Sequence, residues 1–413
     1  MNPTLKRLTP LLGLLVFLAG CGKAANPVAP VFIPPLSSVT LSVHADTLDV
    51  EQTRQFTAVA LDTAHVPYTG ALHWASTNAG VFAVGSTGLV TAVGEGTALL
   101  TVSGGGKADT ASVLVYPTAT GWLVQTSNVT DDLYDVFFDG AGRLGWAVGN
   151  GGVVLSTTNA GATWTRQLST TLTPLRGVWF TSALEGWAAG NGGTVLHTLN
   201  GGSSWARLAN TSSNENLMDV CFATRDTGWV VGAGGLILST TDRGKTWRRT
   251  MRGGFTLNSV SFAGTKDGWT VGAGGVILGT HDRGVSWYTV PSVTGQALKS
   301  LWRVDAKTAA AVGAGGVVAR TVAVSDSAAW VLGNNVGSLY QLEGVCLADT
   351  LTGFAVGLNG AGVVLHTSDG GEAWTPQAVH SQFRLRGVFF LDARRGWVVG
   401  DNGTIRHTTS AGE

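Results

Sequence analysis

An eight-residue turn motif recurs through the C-terminal part of this chain and limits the folds it can adopt. The motif reads Thr-x-(Asp/Asn)-x-Gly-x-x-Trp. Its five clear copies run Thr157 to Trp164, Thr198 to Trp205, Thr240 to Trp247, Thr280 to Trp287 and Thr367 to Trp374. Successive tryptophans of the first four copies are 41, 42 and 40 residues apart. A repeat of this length indicates many small units packed side by side, not one globular core.

The same period continues where the motif is degraded. Trp287 and Trp374 are 87 residues apart, about two periods, and Trp330 divides that interval. The turn before Trp330 lacks the glycine, and Trp122 lies 42 residues before Trp164. Seven apolar hexapeptides keep step with the motif, and each predicts an inner strand. They are Leu133–Phe138, Leu175–Phe180, Leu217–Phe222, Leu257–Phe262, Leu298–Arg303, Leu342–Leu347 and Leu385–Phe390.

Each repeat contains enough strand signal for a four-stranded antiparallel sheet. After the inner strand comes a second strand with a glycine-rich hairpin, as in Gly145–Gly152, for which we predict a two-residue turn. A third strand leads into the motif, and the motif tryptophan opens a fourth. Four strands in about 42 residues are typical of a β-propeller blade, and seven inner strands predict seven blades.

The two ends of the repeat region complement each other. The last repeat has strand signals at 385–390, 396–400 and 404–409 but lacks a fourth, whereas Gly121–Thr126 is a fourth strand with no repeat before it. Pairing the two would close the ring and remove exposed strand edges. The predicted fold class is therefore all-β, with residues 117–413 forming a seven-bladed propeller closed by an N-terminal outer strand.

The motif has a local structural explanation. An Asp or Asn side chain can accept a hydrogen bond from a backbone N–H two residues on, and glycine adopts the left-handed conformation. We expect the tryptophan to pack on its own sheet. The motif resembles the Asp-box of the bacterial neuraminidase repeat, which implies a structural role away from any site of chemistry. The Asp-box residues are Asn159, Asn200, Asp242, Asp282 and Asp369.

The complete repeat combines Gly-Trp-x-Val-Gly-x-x-Gly, an apolar strand and the Asp-box. In this combination residues 117–413 resemble the photosystem II stability/assembly factor-like family of seven-bladed propellers, although Val322–Trp330 departs from the pattern. The resemblance implies a protein-binding role. In phototrophs, members of this family help to insert new reaction-centre subunits, but many relatives occur in multidomain surface proteins without a photosystem. We therefore do not extend the photosystem partner to this chain.

The second residue of each inner strand should lie at one height around the ring axis. These residues are Tyr134, Arg176, Met218, Asn258, Lys299, Glu343 and Arg386. Arg176, Lys299 and Arg386 could form a positive patch for an acidic loop or a carboxylate terminus of a partner protein. The alternative is a ring of solvated residues at a rim.

The sequence offers little support for catalysis. A sialidase-like hydrolase needs a Tyr nucleophile backed by Glu, but no Glu recurs near Tyr134, Tyr288 or Tyr340. Asp135 and Asp219 hold like positions in two repeats, which is weak evidence for an acid pair. Four histidines of the repeats do not have metal-ligand spacing; they are His197, His281, His366 and His407. We predict no catalytic residue, no metal site and no cofactor.

Charge and cysteine content narrow the possibilities further. Lys+Arg and Asp+Glu both number 26, so the chain has no large basic field for nucleic acid. Cys221 and Cys346 hold equivalent positions in repeats 3 and 6, too far apart for a disulfide. We predict that both are buried free thiols.

The N-terminus predicts a lipid anchor. Lys6 and Arg7 precede a short apolar run, which ends in Leu18-Ala19-Gly20-Cys21. This resembles the lipobox of bacterial lipoproteins, which implies that residues 1–21 hold a signal peptide and that Cys21 is lipidated; an ordinary secretory signal is the alternative. Gly22 is not an acidic retention residue, which favours the outer membrane where one exists. Residues 22–37 contain four prolines and predict an extended tether.

Residues 38–116 predict a small β-sandwich. Alternating segments, among them Val39–Val43 and Thr97–Val102, indicate half-buried strands around Phe56 and Trp74. The order Trp74-Ala-Ser-Thr-Asn78 and Gly88–Thr97 resembles the bacterial immunoglobulin-like group 2 domain. The resemblance implies a spacer in a surface protein, or an adhesive module.

Together these features predict a non-enzymatic, lipid-anchored, extracytoplasmic protein of the cell envelope whose propeller binds a protein partner. The alternative is a surface protein that binds or cleaves glycans, or an adhesin. Only the analogy to neuraminidase-type propellers supports the glycan alternative.

Overall fold

The computed structural model describes residues 33–413 except 51, 95, 117–120, 209–210, 212, 325–326 and 335. The predicted signal peptide, Cys21 and most of the predicted tether lie outside the described residues. Within them, secondary structure consists of β-strands and short 3-10 turns. No helix in this part of the chain is long and apolar enough to span a membrane.

Residues 36–116 form three sheets around one apolar core. The four-stranded sheet has the order Ala45–Asp49, Lys107–Tyr116, Gly96–Gly104, His73–Ser76. The three-stranded sheet has the order Thr53–Gln55, Leu89–Ala92, Phe82–Val84, and Leu36–Leu41 pairs with Ala58–Asp62. Phe56 is buried in this core, and Trp74 packs against it. The first strand begins at Leu36, inside the segment predicted as tether.

The described part of residues 121–413 forms seven four-stranded sheets, numbered here by the inner strand with which each begins. Sheet 1 is Leu133–Phe138, Gly145–Gly149, Val154–Thr157, Thr165–Gln167. Sheet 2 is Leu175–Phe180, Gly186–Gly190, Thr194–Thr198, Ala206–Arg207. Sheet 3 is Leu217–Phe222, Gly228–Gly232, Leu236–Thr240, Arg248–Met251. Sheet 4 is Leu257–Ala263, Asp267–Gly272, Ile277–Thr280, Tyr288–Val290.

The other three sheets follow the same antiparallel order. Sheet 5 is Leu298–Arg303, Ala309–Gly313, Val318–Val324, Ser327–Leu332. Sheet 6 is Gln341–Leu347, Gly353–Asn359, Ala361–Thr367, Thr375–Ser381. Sheet 7 is Leu385–Phe390, Gly396–Gly400, Ile405–Thr408 and, from the start of the region, Leu123–Gln125. That last pairing joins Leu123 to His407 and Gln125 to Ile405, as predicted for the Trp122 segment.

The inner strands contact one another in chain order, and the inner strand of sheet 7 contacts that of sheet 1. Such an arrangement of four-stranded sheets is that of a β-propeller. The connections after the second strands differ from the prediction. Five of them are three-residue 3-10 turns, not two-residue hairpins: Asn150–Gly152, Ala233–Gly235, Ala273–Gly275, Ala314–Gly316 and Asp401–Gly403. Two consecutive residues with positive φ, such as Gly234 and Gly235, permit this wider turn.

Aromatic stacking joins most neighbouring sheets. The last aromatic residue of an inner strand stacks on a second-strand aromatic of the preceding sheet, with ring centroids 3.4–3.8 Å apart. The pairs are Trp397–Phe138, Trp146–Phe180, Trp187–Phe222, Trp229–Phe262 and Phe354–Phe390. Between sheets 4 and 5, Arg303 replaces the phenylalanine and lies 4.1 Å from the Trp269 ring centroid. Between sheets 5 and 6, Ala310 and Leu347 take these positions without any ring.

The Asp-box turns use a hydrogen-bond pattern that differs in part from the predicted one. In sheet 3 the Thr240 hydroxyl accepts from the N–H of Asp242 (3.2 Å) and of Gly244 (2.9 Å). Asp242 Oδ1 accepts from the N–H of Thr246, four residues on (2.9 Å), and not two residues on as expected. The threonine hydroxyl accepts from the N–H two residues after the aspartate, that of Gly244, so the carboxylate accepts from the N–H four residues on. The other clear copies repeat this arrangement.

The motif tryptophan and the second-strand tryptophan both serve the turn. Trp164 packs edge-on against Phe138 of its own sheet, with centroids 5.8 Å apart. The Trp229 indole N–H of sheet 3 donates to the Arg283 carbonyl in the Asp-box of sheet 4 (3.0 Å). Trp146, Trp187 and Trp397 make the same bond to the box of the next sheet. The second-strand tryptophan and the Asp-box therefore act together, because the tryptophan of one sheet hydrogen-bonds to the Asp-box turn of the next sheet.

Candidate functional site: a cavity where the inner strands begin

Each inner strand carries an irregularity at its second residue. In all seven sheets the pairing register shifts between the first and third residues of the apolar hexapeptide, as between Leu133 and Asp135 in sheet 1. The second residue is thus the extra residue of a β-bulge. Bulges occur next to binding sites because the extra residue is unpaired and its side chain is redirected. A repeated bulge gives the scaffold seven redirected side chains.

The seven bulged residues surround one cavity of about 330 Å³. They are the residues predicted from the repeat: Tyr134, Arg176, Met218, Asn258, Lys299, Glu343 and Arg386. We call them the bulge ring. The cavity lies where the inner strands begin, since Leu133 pairs with Gly149 there, whereas Phe138, Gly145 and Thr157 lie together at the opposite end, beside the Asp-box. The Asp-boxes are therefore distant from the cavity along the strands.

Two arginines of the bulge ring flank one tyrosine. The guanidinium carbon of Arg176 lies 4.4 Å from the Tyr134 ring centroid, and that of Arg386 lies 5.3 Å from it. Arg176 Nε donates to Asn191 Oδ1 (3.3 Å), and Arg386 Nε bonds Asp401 Oδ1. Asn191 follows the second strand of sheet 2, and Asp401 holds the same place in sheet 7. These bonds hold each guanidinium group in place by its Nε atom.

The bulge ring has a net positive charge. Lys299 is exposed and makes no hydrogen bond or ion pair with the described residues, and the Nη nitrogens of Arg176 and Arg386 make none either. Glu343, which sequence reasoning included in the ring, pairs with Arg384 Nη1 at 3.2 Å. Its negative charge is thus compensated by an arginine that sequence reasoning missed. The charges without a carboxylate partner are those of Arg176 and Lys299.

Two other members of the bulge ring, Asn258 and Met218, carry no charge. Asn258 Nδ2 donates to the Leu298 carbonyl at 2.7 Å and so links sheets 4 and 5. Met218 contributes an apolar side chain to the cavity wall. The ring is therefore asymmetric, with its cations contributed by sheets 2, 5 and 7.

Below the bulge ring, Asp135 and Asp219 line the cavity and bridge neighbouring sheets. Asp135 accepts from the N–H of Val136 and from that of Val178 in sheet 2, both at 2.9 Å. Asp219 accepts from Val260 in sheet 4 at 2.9 Å and from the Ser259 hydroxyl at 2.8 Å. Burial raises the pKa of Asp135 to about 8, with the Asp219 charge adding to the effect, and burial raises the pKa of Asp219 to about 6. These bonds explain both residues without a catalytic role.

Four aromatic side chains close the cavity, and we call them the aromatic floor: Phe137, Trp179, Trp302 and Phe389. Successive ring centroids lie 5.2, 6.5, 6.2 and 5.3 Å apart around this circuit. Each is the fifth residue of its inner strand, in sheets 1, 2, 5 and 7. Sequence reasoning missed them, although the signal was present as an aromatic after the central valine or leucine of those four hexapeptides.

Residues considered for catalysis or metal binding have other surroundings. Tyr288 bonds His281 Nε2 at 2.8 Å, and His281 Nδ1 bonds Asp267 at 2.7 Å, away from the cavity. His197, His366 and His407 stack on second-strand aromatics of their own sheets. The described residues contain no cluster of three or more His, Cys, Asp or Glu suited to a metal.

The predicted thiols are present as expected. Cys221 and Cys346 are free and buried, and burial raises the pKa of each thiol to about 12. Cys346 accepts a hydrogen bond from the Phe390 N–H at 3.3 Å, which joins sheets 6 and 7. Both cysteines are therefore structural.

With the geometry established, comparison with known proteins identifies the family. Residues 115–213 and 209–343, more than half of the chain, match the family described as photosynthesis system II assembly factor YCF48. The chain belongs to this family. No curated protein sequence matches it significantly.

Solved structures similar to this chain agree on the fold. A structure titled YCF48 bound to D1 peptide has a TM-score of 0.59 and 18% identity, and covers 71% of this chain and 96% of its own. YCF48 from Cyanidioschyzon merolae has a TM-score of 0.56 and 20% identity, covering 70% and 98%. A catalytically inactive virginiamycin B lyase from Staphylococcus aureus with quinupristin has a TM-score of 0.61 and 12% identity, covering 70% and 99%. At these identities the similarity shows a β-propeller and nothing further, since this fold includes both enzymes and binding proteins.

Proposed function

We propose that this protein is a non-enzymatic scaffold whose cavity binds an anionic segment of a partner protein. The observation that carries the proposal is the bulge ring, in which Arg176 and Lys299 have no carboxylate partner. A buried or half-buried cation without a counter-charge attracts an anion more strongly than a surface lysine in free solution, because fewer waters screen it. Membership of the YCF48 family, and a family relative solved with a D1 peptide, support a protein partner.

Fluorescence anisotropy with a labelled acidic peptide tests this proposal. We expect saturable binding at low salt, and much weaker binding when Arg176 is changed to Glu. A matched control is Arg249→Glu, because Arg249 is an exposed arginine on the outer strand of sheet 3. Equal affinity for acidic and basic peptides, or equal loss with both variants, would contradict a role for the cavity.

We further propose that the seven sheets are seven blades closed into one ring and that residues 38–116 are an immunoglobulin-like spacer. Cys21 would carry lipid and hold the protein at the extracytoplasmic side of the envelope, with the outer membrane favoured where one exists. The lipobox resemblance and the four prolines of residues 22–37 support this arrangement. Metabolic labelling with palmitate should mark the full-length chain, and Cys21→Ser should abolish the label. Labelling that survives this substitution would rule out a lipid on Cys21.

A second candidate is recognition of an acidic glycan. Tyr134 lies between Arg176 and Arg386, and an arginine group beside a tyrosine could bind a sugar carboxylate. Hydrolysis is less well supported, because among the described residues no carboxylate contacts the Tyr134 hydroxyl. A glycan array separates the two functions: saturable binding to sialylated glycans that is lost in Arg176→Glu, without binding to acidic peptides, would favour the glycan.

A further inference from the structure

We infer that Tyr288 is a reactive tyrosine whose phenol accepts an acyl group from an activated carboxylic ester, with His281 as its general base and Asp267 as a positioning residue. This site goes beyond the proposed function, because it lies at the Asp-box end of sheet 4, away from the cavity. Three features support it: a relay of hydrogen bonds, a local departure from the repeat, and access from solvent.

The three side chains form one chain of hydrogen bonds. The Tyr288 hydroxyl lies 2.8 Å from His281 Nε2, and His281 Nδ1 lies 2.7 Å from Asp267 Oδ1. Since an ionised carboxylate only accepts hydrogen bonds, Nδ1 of the neutral imidazole carries the proton and Nε2 accepts from the phenol. A nucleophile beside a base that a third group orients is the arrangement by which proteins activate hydroxyl groups.

The surroundings of the phenol explain why it needs a base. Burial raises the pKa of Tyr288, so little phenolate is present near neutral pH. A hydrogen bond from the Trp269 indole and the charge of Arg303 act in the opposite direction, and both stabilise negative charge as it develops on the phenol oxygen. Arg303 is itself buried against the Trp269 ring. The phenol therefore becomes nucleophilic when His281 removes its proton.

Sheet 4 departs from the repeat at the positions that build this relay. No other clear copy of the motif has a histidine after its threonine or a tyrosine after its tryptophan. Gly279 lies directly across from Tyr288, at the position of Ser156 in sheet 1 and Ser239 in sheet 3. A Cβ at position 279 would lie 2.5 Å from Cζ of Tyr288, so the glycine makes room for the ring. Such a coordinated break in a pattern that the other sheets keep is expected at a functional site.

An ester can reach the phenol from solvent, since Tyr288 is 42% exposed and the His281 ring beside it is exposed. As the phenol oxygen attacks the carbonyl carbon, His281 Nε2 takes the phenol proton. The tetrahedral intermediate then collapses, the bond between the carbonyl carbon and the alcohol oxygen breaks, and His281 returns the proton to the leaving alcohol. The products are O-acyl-Tyr288 and the free alcohol, so the ester is the one reactant required.

Incubation of the protein with p-nitrophenyl acetate, followed by peptide mass spectrometry, tests the site. We expect Tyr288 to be acetylated at least tenfold faster than Tyr340, whose hydroxyl makes no hydrogen bond with the described residues. His281→Ala should lower the rate at Tyr288 to that at Tyr340, and added imidazole should restore part of it. Equal rates at the two tyrosines, acetate on His281 in place of Tyr288, or an undiminished rate in His281→Ala would each overturn the inference.

Further variants separate reactivity from folding. Gly279→Ser introduces the serine of sheets 1 and 3, which should displace the Tyr288 ring from His281 and lower the rate at least tenfold. Gly254→Ser is the matched control, because a Cβ at position 254 meets no atom within 4 Å. Asp267→Asn should also lower the rate, and Asp267→Glu should restore part of it, because a carboxylate orients His281. Thermal melting checks that each variant folds. Unchanged acetylation in folded Gly279→Ser and Asp267→Asn would contradict the relay.

Discussion

The two ends of the seven sheets differ in how much they repeat. At the Asp-box end, five sheets carry the same threonine, Asp or Asn, glycine and tryptophan, held by the same hydrogen bonds. At the cavity end, the seven bulged residues are almost all different, although the bulge itself is present in every sheet. Repetition at the Asp-box end therefore maintains the scaffold, while residues that vary within a constant backbone geometry line the cavity.

The same contrast appears between neighbouring sheets. Sheets 7, 1, 2, 3 and 4 are joined in succession by stacked rings and by an indole N–H to the next Asp-box. The junction of sheets 5 and 6 has Ala310 and Leu347, and sheet 5 lacks the Asp-box. The junction of sheets 5 and 6 is packed instead by aliphatic side chains, among them Val312, Val345 and Leu365.

The largest expected effect is the loss of a stacked junction. Trp229→Ala removes a fully buried ring that lies 3.4 Å from Phe262 and an indole bond to Arg283. We expect the free energy of unfolding in urea to fall by about 3–5 kcal/mol. Trp269→Ala should cost less, because Trp269 faces an arginine in place of a stacked phenylalanine. An equal loss of unfolding free energy in both variants would show that the stacked junction is no stronger than the junction with the arginine.

A smaller effect is expected within one Asp-box. Thr240→Val leaves the N–H groups of Asp242 and Gly244 without their acceptor, which should cost about 1–3 kcal/mol. Thr241→Val, at the exposed neighbouring position, should change stability by less than about 0.5 kcal/mol. Urea unfolding of both variants measures the difference. If neither change lowered stability, the hydrogen bonds to the repeated threonine would not be what holds the turn.

Stability should also depend on pH through the two half-buried acids of the cavity, Asp135 and Asp219. Asp135 and Asp219 have folded-state pKa values of about 8 and about 6, both above the ordinary 3.8. Between about pH 4 and pH 8 these two groups bind more protons in the folded protein than in the unfolded chain, so their contribution to stability is fully present below about pH 4 and falls as pH rises toward 8. The slope is at most about 1.4 kcal/mol per pH unit for each group. Asp135→Asn should reduce the slope of unfolding free energy against pH between pH 6 and 8. An unchanged slope would mean that another group causes the pH dependence.

The smallest expected free-energy change lies at the cavity end and concerns binding, not stability. Lys299→Glu should weaken binding of an acidic peptide about tenfold, or about 1.4 kcal/mol, with an unchanged melting temperature. Lys266→Glu, an exposed lysine in a turn at the Asp-box end of sheet 4, is the control and should bind normally. The difference should shrink in 1 M salt. A melting temperature lowered only by Lys299→Glu would mean that the bulge ring serves the scaffold.

Much of the fold could be predicted because each repeat contains its own strand patterns and turn residues. The inner strands predicted at 133–138, 175–180 and 385–390 have those bounds in the structure, and the strand after Trp122 pairs with Ile405–Thr408. The errors were local. The Asp242 carboxylate accepts from the N–H of Thr246, four residues on, because the N–H of Gly244, two residues on, donates to the Thr240 hydroxyl. The sandwich strands Ala45–Asp49, His73–Ser76 and Phe82–Val84 were missed, since single short strands carry little periodicity.

For the candidate site, the repeat period was enough to predict which residues are equivalent, since a constant period places each second residue of an inner hexapeptide at the same height. It could not determine which of those charges remain without a counter-charge. Asp401 neutralises Arg386 and Arg384 neutralises Glu343, whereas Arg176 bonds the amide of Asn191 and packs on the Tyr134 ring. It also could not show that four rings from sheets 1, 2, 5 and 7 meet and close the cavity. These points depend on side chains that the packing of the inner strands brings together from distant parts of the chain, so they could be read only from the folded protein.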